Sequence, residues 1–327
     1  MSKFDTIEGA QRFLREMLED LLHADPLYAD ARVALSQPGK LLCLQVETHN
    51  GLWPLLVWFI ARVYAPTFDV QTVGRGALAM ECLVCSFDLY DDIEDEETTS
   101  IVAELGHKRV TMAATALWSL GQSLLLSLHT HMADELFLSM FTGSLLKIQH
   151  SIEGQHLDIL ASRLPWTKMS EEQILEISRK KSGSLASLAC LLGSTLGGAG
   201  VAEIELWSEL GLRLGAAKQI HNDCFDMDED WQQGKKTLPI LLSVLLSSAP
   251  ESSENTVDAE GDDVSIEAPA VLASLYGRWG ALLRYNEEME GIKGLFQRIE
   301  ALEARPFFPL LALLIGLDQI TDVSEGE

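Results

Sequence analysis

The chain has 327 residues, 47% hydrophobic and 22% charged, which is enough apolar material for a large folded domain and well outside the disordered range. Twenty-four Lys and Arg stand against forty-nine Asp and Glu, a net charge of −25, and such a field repels nucleic-acid phosphates and anionic membranes. Five cysteines, Cys43, Cys82, Cys85, Cys190 and Cys224, are too few and odd in number for a disulfide framework, so a reducing, cytoplasmic compartment is expected.

Along the chain, the N-terminus carries acids in its first turns and lacks the long apolar run of a signal peptide. Apolar residues recur every three or four positions, as in Phe13, Met17, Leu18, Leu21 and Leu22, which predicts helices near 4–23, 51–64, 72–95, 107–128, 132–161, 170–196, 203–229, 236–247, 267–288 and 305–317. The fold expected is therefore all-α, with only Lys40 to Val46 ambiguous as to strand. Helices 132–161 and 203–229 would each run roughly 40 Å and suit a bundle around a deep central cavity. The apolar runs Leu52 to Ile60 and Phe307 to Leu317 fall short of the roughly 18 residues a membrane span needs, so no integral membrane protein is expected. Cys82 and Cys85 form a C-x-x-C in an apolar helical context without a second metal-spaced pair, and read as core thiols. Residues 249–268 hold seven acids, no base and no periodicity, and read as a solvated insertion within one undivided domain, 1–327.

The placement of the acids is more informative than their number. Asp88, Asp91, Asp92, Glu94, Asp95, Glu96 and Glu97 put seven carboxylates in ten residues, at the C-terminal end of a helix whose apolar face includes Leu83, Phe87 and Tyr90. The helix dipole disfavours anions there, so the arrangement costs stability unless cations neutralise it. Asp91 and Asp95, at i and i+4, share one face and can jointly hold a hard cation through oxygen. A second cluster, Asp223, Asp226, Asp228, Glu229 and Asp230, follows Asn222, and the i, i+4, i+8 spacing of Asn222, Asp226 and Asp230 predicts one stripe. Lys180-Lys181-Ser182-Gly183 and Gly234-Lys235-Lys236-Thr237-Leu238-Pro239 lie between and after the clusters. Two carboxylate stripes for Mg²⁺ with lysines for anions describe a site for a metal-bridged diphosphate.

These residues resemble the trans-isoprenyl diphosphate synthases of the polyprenyl synthetase family. Asp91-Asp92-Ile93-Glu94-Asp95 matches their D-D-x-x-D, Gly154-Gln155-His156-Leu157-Asp158 their G-Q-x-x-D, and Lys181-Ser182-Gly183 their K-T-G. Gln219-Ile220-His221-Asn222-Asp223-Cys224-Phe225-Asp226 is similar to the second motif, Q-I-x-D-D-x-x-D, and the Gly234-Lys235-Lys236-Thr237-Leu238-Pro239 run follows it. The resemblance implies an isoprenoid-synthase helical bundle, usually a homodimer, in which an allylic isoprenyl diphosphate of about C10 to C20 is held by about three Mg²⁺ and ionised. It implies metal ligation by Asp91, Asp92 and Asp95, and by Asp223 or Asn222 with Asp226 and Asp230. Gln155 and Asp158 would be supporting or water-mediated ligands, Gln219 would bind substrate, and Lys181 and Lys235 would stabilise the leaving diphosphate. Phe87, one turn before Asp91, would limit the prenyl tail.

The acceptor half departs from the family. Chain-elongating members hold isopentenyl diphosphate with G-G-K-R-x-R-P and R-R-G. Here the counterparts are Pro38-Gly39-Lys40-Leu41-Leu42-Cys43 or His49-Asn50-Gly51-Leu52-Trp53-Pro54, and Glu96-Glu97-Thr98-Thr99-Ser100 follows Asp95, with Lys108 and Arg109 the next bases. Val84 replaces the His or Gln usual seven residues before Asp91. An acceptor diphosphate needs bidentate, always-charged donors that Leu and Cys cannot supply. The expectation is a Mg²⁺-dependent prenyltransferase whose acceptor is isopentenyl diphosphate bound differently, a peptide or a small molecule. The Glu-Asp-Glu run, G-Q-H-x-D and shortened second motif resemble the competence-pheromone branch, which modifies a peptide tryptophan. The alternatives are a class I terpene cyclase and a catalytically weak regulatory subunit of a synthase. His107, His129, His131 and His150 are assigned no chemistry, and Trp53, Trp58 and Trp118 serve equally as packing or as tunnel lining.

Overall fold

The computed structural model describes residues 5–23, 25–44, 50–65, 69–94, 100–247, 271–299, 302, 305 and 307–317. Asp95 and the acidic stretch 249–268 lie outside the described residues. The elements in order are α1 (Ile7–His23), α2 (Ala29–Leu35), α3 (Leu52–Tyr64), α4 (Val70–Glu94), α5 (Ser100–Leu105), α6 (His107–Ser127), α7 (Asp134–Ser162), α8 (Glu171–Ser178), α9 (Ser184–Gly197), α10 (Val201–Phe225), α11 (Met227–Gln233), α12 (Leu238–Ser247), α13 (Val271–Arg298) and α14 (Phe308–Ile315). The described residues contain no strand, and Lys40 to Leu44 form turns and coil.

The apolar periodicity explains which helix sits where. α3 is buried around nearly its whole circumference, from Leu52 to Val63, as an all-round apolar helix must be. It packs against α4 and α9, α4 against α6, α9 against α7 and α10, and α13 against α10 and α12. One large core cluster joins these helices, α12 excepted, through residues such as Leu18, Trp58, Phe59, Leu78, Leu117, Leu188, Trp207 and Ile292, while Leu238 and Leu241 of α12 pack in a second cluster with Ile220 and Ala281. α4 runs through this core from Thr72 to Ser86, and only its last two turns emerge, at Phe87, Asp88 and Tyr90 to Glu94. That emergence carries Asp88, Asp91, Asp92 and Glu94 out of the core, while Glu81 stays buried.

Three sequence expectations change. α13 extends to Arg298, ten residues beyond the predicted end, because Met289, Ile292, Leu295 and Phe296 continue its buried face. The predicted helix 203–229 is interrupted at Asp226, whose φ of −98° and ψ of 12° cap α10 before α11 begins. His107–His131, comprising α6 and the short turn after it, is long and apolar enough to cross a membrane by composition, contrary to the expectation that no segment reaches that length. Half of its apolar window is buried inside the protein, and Val110, Ala114, Leu117, Gly121 and Leu125 face the bundle, so core packing accounts for its composition. All five cysteines are buried free thiols, and burial pushes the Cys85 thiol up to about 12, which keeps it inert.

Candidate active site

A cavity of about 540 Å³ opens where the end of α4 meets α6, α7, α9 and α10. Phe87, Tyr90 and Asp91 come from α4, Trp118 from α6, Ile152 and Gln155 from α7, Lys181 and Ser182 from the segment before α9, and Gln219 from α10. The rings of Phe87 and Trp118 meet edge to face, 5.7 Å apart at 83°, so the apolar wall behind the first motif is made of two aromatics. The sequence marked Phe87 but left Trp118 undecided, because its role depends on which face α6 turns to α4.

Arg179–Gly183 forms a π-helical turn between α8 and α9, a wide turn found frequently at functional sites. It presents Lys181 inward while Lys180 pairs outward with Glu153 and Glu176. The turn lies directly against α7. A Cβ on Gly154 would stand 2.2 Å from the Lys181 backbone nitrogen, so the glycine of Gly154-Gln155 exists for this close approach. Ser151 Oγ donates to the Lys181 carbonyl at 2.8 Å, and a Cβ on Gly215 of α10 would meet Ser182 O at 2.4 Å.

The Lys181 ammonium donates to Asp91 Oδ1 at 2.9 Å and to Asp158 Oδ2 at 3.0 Å. Burial pulls its pKa down, but the two carboxylates outweigh that and hold it above the ordinary lysine value. Gln155 Nε2 donates to Asp91 Oδ1 at 2.6 Å and to Glu94 Oε2 at 2.9 Å. Ser182 Oγ donates to Gln219 Oε1 at 2.5 Å, and Gln219 Nε2 to Asp223 Oδ1 at 2.8 Å. The motifs thus form two hydrogen-bonded groups, Asp91, Glu94, Gln155, Asp158 and Lys181 in one and Ser182, Gln219 and Asp223 in the other, which meet at the adjacent residues Lys181 and Ser182. Asp92, beside Asp91, is half-buried.

In the second cluster the inward acids are not the predicted stripe. Asn222 and Asp226 are exposed, whereas Asp223 and Asp230 are buried at 5% and 6% exposure. The physical reason is the break at Asp226, which restarts the helix and turns Asp230 back toward α10. Lys235 Nζ stands 3.9 Å from Asp230, after Gly234 ends α11 at φ +73°. α11 is held by Trp231, stacked on Trp166 at 6.1 Å and 9°, with the ammonium of the buried Lys236 4.4 Å over the Trp166 ring.

The residues fit Mg²⁺ by their chemistry. Burial first, then the neighbouring carboxylates of Asp230 and Asp158, push the Asp223 carboxyl up to about 7, although Gln219 acts against this. Burial likewise pushes Asp230 up to about 7, with Asp226, Asp158 and Glu229 adding and Lys235 opposing. Carboxylates crowded in this way offer hard oxygen donors and a surplus of negative charge that a divalent cation relieves. Among the described residues no three acidic, His or Cys side chains already converge as a ligand cluster, and the Lys181 ammonium stands between two of the acids.

A pH dependence follows. Between about pH 4, the ordinary aspartate range, and about pH 7, the folded protein holds protons on Asp223 and Asp230 that the unfolded chain has lost. Stability is therefore present at the acid end of this window and is lost as pH rises. In Mg²⁺-free buffer the Asp223→Asn variant should gain thermal midpoint over wild type progressively from pH 5 to pH 7.5, and Mg²⁺ should reduce that gain. A constant difference across the pH range would count against these protonated carboxyls.

The bases after the first motif lie elsewhere. Arg109 forks onto Asp30 of α2, with Nε–Oδ2 2.9 Å and Nη2–Oδ1 2.5 Å, and neither it nor the exposed Lys108 lines the cavity.

The bundle and its acid-lined cavity define an isoprenoid-synthase fold. A geranylgeranyl pyrophosphate synthetase from the archaeon Geoglobus acetivorans superposes with a TM-score of 0.73 at 21% identity, covering 94% of this chain and 97% of that one. A geranylgeranyl pyrophosphate synthetase from Pyrococcus horikoshii Ot3 gives a TM-score of 0.70 at 19% identity, covering 96% and 97%. The polyprenyl synthetase profile matches residues 51–257, and the chain belongs to that family. It is 32% identical over 215 residues to the tryptophan prenyltransferase ComQ of Bacillus subtilis subsp. natto, a match covering 65% of this chain and 62% of that protein, less than two thirds of the relative's length. A short chain isoprenyl diphosphate synthase of Methanothermobacter thermautotrophicus is 26% identical over 262 residues, covering 74% of this chain and 78% of that one.

Proposed function

We propose that this protein is a Mg²⁺-dependent prenyltransferase that ionises an allylic isoprenyl diphosphate of about C10 to C20 and passes the prenyl group to an acceptor other than isopentenyl diphosphate. The names of the ComQ relatives suggest tryptophan as that acceptor, and the resemblance to the competence-pheromone branch suggests a tryptophan within a peptide. The observation that carries the reading is the Lys181 ammonium held between Asp91 and Asp158 at the edge of a cavity walled by Phe87 and Trp118.

Mg²⁺, when bound, neutralises the diphosphate and acts as the Lewis acid that helps it leave. Asp91, Asp92, Asp95, Asp158, Asp223 and Asp230 are the residues to hold it, with Asn222 and Asp226 at the outer rim. Lys181 and Lys235 take up charge that develops on the leaving oxygens, and a charge-assisted hydrogen bond is strongest in a site with little water. Gln155 and Gln219 orient the acids on either side. Phe87 and Trp118 exclude water from the allylic cation and present ring faces to it. In the transfer the allylic C–O bond breaks with its electron pair leaving on the diphosphate, the acceptor carbon forms the new C–C bond, and the proton it sheds leaves with the diphosphate.

The test is an incubation of the purified protein with Mg²⁺, farnesyl diphosphate and a tryptophan-containing peptide, with isopentenyl diphosphate in a parallel reaction. A prenylated peptide is expected, together with diphosphate release that stops in EDTA. Longer diphosphates would overturn the acceptor assignment, and hydrocarbons or cyclic alcohols would replace transfer by cyclisation. Phe87→Ala should shift the kcat/KM preference toward a longer donor by about tenfold, the scale on which apolar pockets discriminate added methylenes. An unchanged preference would remove Phe87 from the tail's path.

A further inference from the structure

The wall of the cavity formed by Asp88 has a different electrostatic character from the Lys181 side. Lys181 reaches Asp91, which lines the cavity, and the Lys40 ammonium pairs with Asp88, which also lines it. Lys40 belongs to the turn Gln37 to Cys43, fixed from several sides. Gly39 N donates to Asn50 Oδ1 at 3.1 Å, Leu41 N to Glu81 Oε1 at 2.6 Å, and Arg15 to the carbonyls of Leu41 and Cys43 at 3.1 Å each. Glu81 is 2% exposed beneath the turn and adds its field to that of Asp88 on the same ammonium. The Lys40 side chain is 18% exposed, while the Asp88 side chain is 52% exposed and faces the cavity.

The consequence is a matter of charge. On this wall the ammonium pairs with a carboxylate that itself lines the cavity. A phosphate-bearing molecule seated there would face Asp88 first and would have to displace it to reach Lys40. Like charges in a partly desolvated site repel strongly, and a cation already paired gives little to a second anion. In the proposed reaction the Lys181 side differs, because its surplus acids would share divalent cations with an anionic ligand.

We propose that Asp88 is a specificity-determining residue: by occupying Lys40 it closes the α4 wall of the cavity to anionic acceptors and reserves it for an acceptor without a phosphate. This rests on the reading of the cavity as a prenyl-transfer site and deepens it by naming the residue that rejects the second diphosphate. Repulsion of a wrong ligand is as effective a source of specificity as attraction of the right one.

The experiment measures isopentenyl diphosphate binding to the full chain by calorimetry with Mg²⁺ omitted, so that the metal-dependent half of the cavity does not compete. Wild type, Asp88→Asn, Asp88→Ser and the double variant Asp88→Asn/Lys40→Met are compared, each checked for a native thermal transition. Releasing Lys40 should tighten binding by about tenfold or more, the effect of one charge-assisted hydrogen bond. The double variant should return to the weak wild-type value. Binding by both Asp88 variants no tighter than wild type, or a gain that survives Lys40→Met, overturns the proposal. Turnover is not needed for this comparison. A wild-type protein that releases no diphosphate from farnesyl diphosphate with any acceptor would therefore count against the proposed reaction and leave the result on Asp88 standing.

Discussion

Asp91→Ala should lower the rate of diphosphate release by about 10²- to 10³-fold, the loss seen when one preorganised electrostatic group is removed from a reacting centre. Asp91 is where three of the motifs meet: its Oδ1 accepts from both Gln155 and Lys181. The substitution leaves Lys181 paired with Asp158, so the cation is not stranded and the fold should survive with a thermal midpoint within a few degrees of wild type. Lys181→Met is the informative contrast, because it leaves Asp91 and Asp158 facing each other without the ammonium and should cost both activity and stability. The assay is pre-steady-state diphosphate release at saturating Mg²⁺, with melting curves of both variants. Wild-type release from Asp91→Ala would sink the site assignment.

Gly154→Ala should be as damaging, although residue 154 has no polar side chain. The added methyl would enter the space of the Lys181 backbone nitrogen, 2.2 Å away, with the Lys180 carbonyl carbon and Lys181 Cα each 2.7 Å away. Backbone atoms cannot rotate aside as a side chain can, so α7 and the π turn must separate. Overpacking of this kind costs about 3 kcal/mol, and a displacement of about 1 Å in the group proposed to meet the diphosphate should cost about 100-fold in rate. The expected signature is a lowered melting temperature with kcat reduced far more than the loss of folded protein explains. Unchanged kcat and melting temperature would mean that the helix–turn contact is not as close as described.

Both effects show how much could be read from the residues in order. The long helices were legible because their apolar faces are continuous, as in α7 and α10. α2 and α5, of seven and six residues, were not, since too few turns exist for a period to register. The spacing of the motifs identified the acids, but spacing assumes an unbroken helix. The cap at Asp226 shows why that failed for Asn222, Asp226 and Asp230, and it leaves Asp223 and Asp230 as the inward pair. Lys181 was marked as an anion-binding residue, yet its π-helical setting depends on contacts with α7 and α10 that lie far away in sequence. The pairing of Lys40 with Asp88 spans 48 positions and joins a turn to a helix end, a relation that no local pattern encodes.

The two acidic halves of the cavity also differ in mechanical support. Asp91 and Asp92 are rooted in a 25-residue helix that crosses the core, so their positions are as stiff as the bundle itself. Asp230 sits on a helix of seven residues, too short to persist alone in water. What holds it is the stack of Trp166, Trp231 and the buried Lys236, together with Met227 packed against Ile240 and Val244. The two halves of the cavity therefore rest on different foundations, one on a long helix shared with the core and the other on a local stack of three side chains.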